Sequence, residues 1–199
     1  EALAERVESK RGQLESQLMR QGHHSVMFVC GAAHSASLAA DGTLRTWGWG
    51  DRGQLGHGDL SNLGTPQVVR FFLRSPTLAV RHVACGEDHT AVLTRLQQVY
   101  TWGDGRRGQL GLGPDALFVH TPSRVGVPDA VQISCGGHHT MALVEDGSVW
   151  TWGSGAQIGH GVFSGCGDSS LPRALDALTH LRVRHIECGL AFSAAVTHT

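Results

Sequence analysis

Residues 46–56, TWGWGDRGQLG, place Gly48, Gly50 and Gly53 at the G-x-G-x-x-G spacing with which a loop brings backbone amides against a pyrophosphate. Thirteen histidines and five cysteines add candidate metal ligands and nucleophiles. The adjacent pairs His23-His24 and His138-His139 lack the i, i+4 separation of a helical zinc motif. No two cysteines stand in C-x-x-C spacing, and no G-x-S-x-G, H-E-x-x-H or Walker sequence occurs. Any chemistry therefore depends on the elements that carry these residues.

Those elements repeat. CGAAHSASLAADGTLRTWG from Cys30, CGEDHTAVLTRLQQVYTWG from Cys85 and CGGHHTMALVEDGSVWTWG from Cys135 align without gaps, and CGLAFSAAV opens a fourth copy at Cys188. Each complete copy runs 17 residues from Cys to Trp: Cys30 to Trp47, Cys85 to Trp102, Cys135 to Trp152. Successive cysteines are 55, 50 and 53 apart, a period of a little over 50 residues. Each Trp-Gly leads into a glycine-rich loop, and Pro66, Pro122 and Pro172 follow 19 or 20 residues after the Trp.

The repeat changes the meaning of the reactive-looking residues. A dinucleotide loop opens a helix whose N-terminal amides meet the phosphate, but QLGHGDLSNLGTP after the first loop has no helical period. The glycines are read as turn formers. His34, His89 and His139 hold one repeat position, four residues after the Cys, which favours a repeated hydrogen-bonding role over a metal site; Phe192 takes that position in the fourth copy. Cys30, Cys85, Cys135 and Cys188 also recur in frame, so small, buried apolar packing is expected of them. Cys166, in FSGCGDSS, stands outside the frame with no obvious base beside it.

Within one copy, SVMFVC, HSASLAA and TLRTW read as three strands, with Asp41-Gly42 as a hairpin turn and Asp146-Gly147 in the equivalent place of the third copy. RLQQ replaces Asp-Gly in the second copy, where a different turn is expected. A fourth strand is expected after each proline, in QVV, SRV and RAL. Four short antiparallel strands per 50 residues describe a β-propeller blade, and the chain is all-β with about three and a half blades. Trp47, Trp102 and Trp152 are expected to be packing residues, each followed by a Gly that lets backbones approach closely. Residues 1–22 read as a short, charge-balanced amphipathic α-helix with Leu3, Val7, Leu14 and Leu18 on one face, a linker or a docking element.

The pattern Cys-Gly-x-x-His-(Thr/Ser), Asp-Gly, Trp-Gly, Gly-Gln-Leu-Gly-x-Gly resembles the regulator of chromosome condensation repeat. The resemblance covers residues 25–199, as copies over about 25–79, 80–129 and 130–182 and a partial copy over 183–199. It implies a seven-bladed ring in complete members, so this chain is expected to be part of a longer protein. Such propellers serve as protein–protein interaction modules in larger assemblies, or as guanine-nucleotide exchange factors for a small Ran-like GTPase. The plant ultraviolet-B photoreceptor shares the frame, but its Gly-Trp-Arg-His-Thr is here GAAHS, GEDHT and GGHHT. The resemblance places Asp51, Arg52, Asp104, Arg106 and Arg107 on loops of one propeller face, as candidate partner contacts.

Composition narrows the partners. A net charge of −1 gives no electrostatic reason to expect direct nucleic-acid binding. No apolar run approaches the ~18 residues of a membrane-spanning helix. The odd cysteine count argues against a disulfide framework and for an intracellular setting, cytoplasmic or nuclear. The expected role is non-catalytic, with protein partners and no cofactor.

Overall fold

The computed structural model describes residues 25–161 and 168–197. The helix expected over 1–22 lies outside the described residues, as does Cys166. Three four-stranded antiparallel sheets follow one another along the chain. The first holds β1 (Ser25–Cys30), β2 (His34–Ala39), β3 (Leu44–Gly48) and β4 (Leu63–Val68). The second holds β5 (Val80–Cys85), β6 (His89–Thr94), β7 (Val99–Asp104) and β8 (Phe118–Arg124). The third holds β9 (Ala130–Cys135), β10 (His139–Val144), β11 (Val149–Gly153) and β12 (Ser169–Ala174). A pair, β13 (Val183–Cys188) and β14 (Ser193–Thr197), begins a fourth.

Each sheet is a blade in simple meander order, and the first strands β1, β5, β9 and β13 touch in sequence, forming the inner wall. The apolar cores lie between blades rather than within them, because each blade has two faces to cover. Ala36, Leu44 and Phe72 of the first blade meet Val83, Tyr100 and Trp102 of the second. Ala91 and Val125 meet Ile133, Ala142 and Trp152 across the next interface, and Met141 and Val149 meet Val183 and Ile186 across the third. Antiparallel order fixes the loops. The β1–β2 type turns and the glycine-rich β3–β4 type loops share one face of the propeller; the β2–β3 type turns and the links between blades share the other.

Two expectations about turns and edges are corrected. Pro66, Pro122 and Pro172 lie inside β4, β8 and β12, not before them. Each stands where the register of the outer strand slips, for example between Thr46↔Gln67 and Gly48↔Leu63. An outermost strand has a free side, and a bulge there tolerates a residue without an N–H. The second hairpin also keeps the turn of its neighbours. Thr94 N–H donates to the Gln98 carbonyl (2.9 Å), as Ala39 does to Thr43 (3.0 Å) and Val144 to Ser148 (2.9 Å). Gln97, with φ of 60°, takes the left-handed conformation that Gly42 and Gly147 take elsewhere.

Candidate functional site

The repeated residues first build a latch between successive blades. His34 Nε2 lies 2.9 Å from Thr90 Oγ1 on the next blade, and that hydroxyl donates 2.9 Å to the Gln54 carbonyl, back on the first. A hydroxyl has one proton, so His34 is the donor and carries its proton on Nε2. The same chain links His89, Thr140 and Gln109, and then His139, Ser193 and Gln157. Trp102 Nε1 donates to the Gln54 carbonyl at 2.8 Å and Trp152 Nε1 to Gln109 at 2.9 Å, so each carbonyl uses both lone pairs. Burial pulls the imidazole pKa values down to about 4 for His34, about 3 for His89 and about 4 for His139. All three rings are neutral at physiological pH. Trp47, in the first blade, is buried with its indole on the blade without a preceding neighbour among the described residues.

The opening glycines serve the same construction. Gly48 and Gly53 have φ of 107° and 80°, and a Cβ on Gly50 would lie 2.2 Å from the Ser61 carbonyl. They fold the loop back onto its own blade, and the loop then reaches the next one, with Gly58 N–H donating to the His120 carbonyl at 2.9 Å.

The cysteines depart from expectation. Cys30 is exposed, and Cys85, Cys135 and Cys188 are half-buried rather than sealed in a core. They end the innermost strands and line, with Gly31, Gly86 and Gly136, an axial groove of about 300 Å³. Cys85, Cys135 and Cys188 also pack against the three inter-blade cores. The equivalent face at Cys30 has no described blade against it. Burial pushes the Cys85 and Cys135 thiols up and Cys188 up to about 11, which keeps them protonated.

The glycine-loop face is where exposed groups of mixed character converge. Asp51 is exposed and Arg52 half-buried, while Arg106 and Arg107 are exposed. Phe118, 42% exposed, lies under two guanidinium groups, with Arg52 Cζ 5.9 Å and Arg106 Cζ 5.2 Å from its ring centroid. Beside it a cleft of about 500 Å³ is lined by Asp51, Arg52, Leu60, Asp115, Leu117 and His120. Trp49 stands 60% exposed on the same face. Asp104 is buried and spoken for: Arg106 reaches it through Nε (3.1 and 3.0 Å) and Nη2 (2.5 Å). Burial opposes that charge, but the Arg106 hydrogen bonds outweigh it and hold the carboxyl below its usual range.

Glu87 and Asp88 complete this face. Burial, then the charges of Glu87 and Asp104, push the Asp88 carboxyl up. Glu87 lies 3.5 Å from His138 of the third blade. Phe118, Glu87, Asp88 and the glutamine carbonyls were not singled out from sequence. The recurrence of Gln-Leu in the loops was the available signal for the last of these. Among the described residues no group of three or more His, Cys, Asp or Glu side chains is placed to hold a metal ion, and no helix is long and apolar enough to cross a membrane.

Comparison with known proteins agrees with this geometry. The model for the regulator of chromosome condensation (RCC1) repeat matches residues 41–93, 98–143 and 146–196, and a second model of that description matches 80–109 and 130–157. Human E3 ubiquitin-protein ligase HERC2 is 36% identical over 189 residues, covering 89% of this chain and 4% of HERC2. The ultraviolet-B receptor UVR8 of Arabidopsis thaliana is 39% identical over 93 residues, 46% of this chain and 20% of the receptor. Prp20p of Saccharomyces cerevisiae superposes with a TM-score of 0.76 at 23% identity, over 88% of this chain and 44% of Prp20p, a likeness of fold. The chain thus spans a fifth or less of these curated relatives and under half of the solved propeller.

Proposed function

The chain belongs to the regulator of chromosome condensation (RCC1) repeat family, and from that premise we propose that it is a non-catalytic protein-interaction module of a larger intracellular protein or assembly. Its partner docks on the glycine-loop face. The observation that carries this reading is the Arg52–Phe118–Arg106 stack beside the cleft of about 500 Å³. An exposed aromatic under two arginines, rimmed by Leu60 and Leu117, has the composition of an interface centre. The blades beneath are held by neutral, buried hydrogen bonds, so the face is presented on a rigid support. The four described cysteines are free thiols, in keeping with a reducing compartment.

The test is site-specific photocrosslinking in cells. A photoreactive residue in place of Arg107, on the glycine-loop face, should trap a protein partner. The same residue at Leu96, which is 51% exposed on the opposite face, should not. Partners trapped only from Leu96 would move the interface to the other face.

A second reading, an exchange factor or regulator for a small Ran-like GTPase, is favoured by one observation. Asp51, Glu87 and Asp88 gather on the glycine-loop face, where burial first and then the neighbouring carboxylates push the Asp88 carboxyl up. Prp20p itself is described by its binding to Gsp1p and histones. Acceleration of nucleotide release from a Ran-like GTPase by the complete protein, lost on Asp51→Asn and Glu87→Gln, would carry that reading past the first.

A further inference from the structure

The cleft beside Phe118 carries a charge imbalance that its own residues leave unmet. One wall comes from the glycine-rich loop of the first blade, through Asp51, Arg52 and Leu60. The other comes from β8 of the second blade and the loop before it, through Asp115, Leu117, Phe118 and His120. Both blades have all four strands, so no further strand of the repeat is due there. Arg52 is already engaged: its guanidinium lies over the Phe118 ring, and its charge acts on Asp88 and Asp104. Arg106, the second cation at that ring, is paired with Asp104. Asp51 and Asp115 are exposed, and among the described residues neither carboxylate makes a hydrogen bond or an ion pair. Asp59, next to Leu60, adds a third exposed carboxylate, which accepts from the Ser61 N–H of its own turn at 3.0 Å. Leu60, Leu117 and Phe118 supply exposed apolar surface between these charges.

We propose that the cleft takes a basic segment of a protein partner, in which a large apolar side chain lies among Leu60, Leu117 and Phe118 and a neighbouring lysine or arginine meets Asp51 and Asp115. This rests on the reading that a partner docks on the glycine-loop face, and it names the chemistry of what docks. The sign follows from which groups are free. An incoming carboxylate would meet two unpaired carboxylates and find both nearby guanidinium groups occupied. An ammonium or guanidinium group finds two open acceptors and displaces no internal pair. The apolar side chain supplies most of the affinity, because it removes Leu60, Leu117 and Phe118 from water together. The exposed carboxylates supply partner choice and association rate, so binding weakens as salt is added.

A random peptide library displayed on phage is panned against the complete natural protein. The selected peptides are then titrated against that protein and against its Asp51→Lys, Asp115→Lys variant. Both positions are exposed and unpaired, so the variant should keep the parent circular dichroism and melting temperature. The isosteric Asp51→Asn, Asp115→Asn variant removes the charge and keeps the shape. The expected selection is enriched in lysine or arginine beside leucine, phenylalanine or tryptophan, with dissociation constants in roughly the micromolar range. Charge reversal should weaken those peptides by at least about tenfold, and the Asn variant by at least about threefold. Enrichment of acidic peptides, no enrichment, or equal binding by either folded variant overturns the proposal. A photocrosslink from Arg107 into a partner segment without basic residues overturns it as well, while leaving the glycine-loop face as the docking surface.

Discussion

The indole of Trp102 donates a 2.8 Å hydrogen bond to the backbone carbonyl of Gln54, 48 positions earlier and on the preceding blade. That carbonyl also accepts from Thr90, which in turn accepts from His34. Two blades are thus joined by a buried polar chain in which every named donor has an acceptor, and the pattern recurs at the next interface. Within that chain the lone-pair Nδ1 of His34 and of His89 is buried without a hydrogen-bond partner, and loss of any acceptor would add the full desolvation cost of the donor it leaves behind.

Trp102 should therefore be intolerant of change. It is 0% exposed, and Trp102→Ala removes both packing and the Gln54 bond. Chemical denaturation should show a loss of about 3–5 kcal/mol. Trp102→Phe, which keeps most of the ring and removes only the donor, should lose less.

The latch histidines predict a sign for pH dependence. Burial lowers their pKa values from 6.5 to about 4, 3 and 4 for His34, His89 and His139. The unfolded chain takes up their protons below about pH 6.5 while the folded chain resists until about pH 4. Their stabilisation is thus fully present above pH 6.5 and is lost as the pH falls through that window. Three such groups give a slope of at most about 4 kcal/mol per pH unit, reached near pH 5 and smaller on either side. Urea midpoints should be level above about pH 7 and fall steeply below about pH 6; level midpoints across the range would show that the rings are not held neutral.

Gln97 offers a gain. It alone among the described non-glycine residues has a positive φ, 60°, in a turn where the sister blades use glycine. Gln97→Gly should raise stability by about 1 kcal/mol, offset in part by the entropy of a freer unfolded chain. The same substitution on a normal hairpin residue would lower it.

Gly86 should tolerate nothing larger. A Cβ there would lie 2.1 Å from His89 Cε1 and 2.6 Å from the Gly136 carbonyl. Gly86→Ala must displace the latch imidazole, at about 1–3 kcal/mol, read from the shift in the denaturation midpoint.

The repeated frame made the architecture legible. Fixed Cys-to-Trp spacing and alternating strands announced blades, and the shared position of His34, His89 and His139 pointed to a repeated hydrogen bond. The misread details were those decided across an interface or at an edge. Pro66 reads as the residue just before an outer strand, but at the free side of that strand it can stand inside it at no cost in ladder bonds. Gln97 has no turn signature, yet strand pairing on both sides imposes the turn. The cysteines recur like core residues, but the wall they line borders an open groove, which only the arrangement of blades reveals. Phe118 was illegible as a contact because its two arginines come from different loops, on different blades. Asp104 and Arg106 looked equally available in sequence; their mutual pairing removes Asp104 from the surface.

The interaction surface itself is tested most directly by quantitative affinity capture of the complete natural protein, beside a matched variant with Arg52→Ala, Arg107→Ala and Phe118→Ala. Arg106 is left intact because it neutralises the buried Asp104. The account expects an unchanged melting temperature and loss of the specific protein partners by at least about tenfold. Retention of the same partners at the same yield by the folded variant would contradict docking on the glycine-loop face.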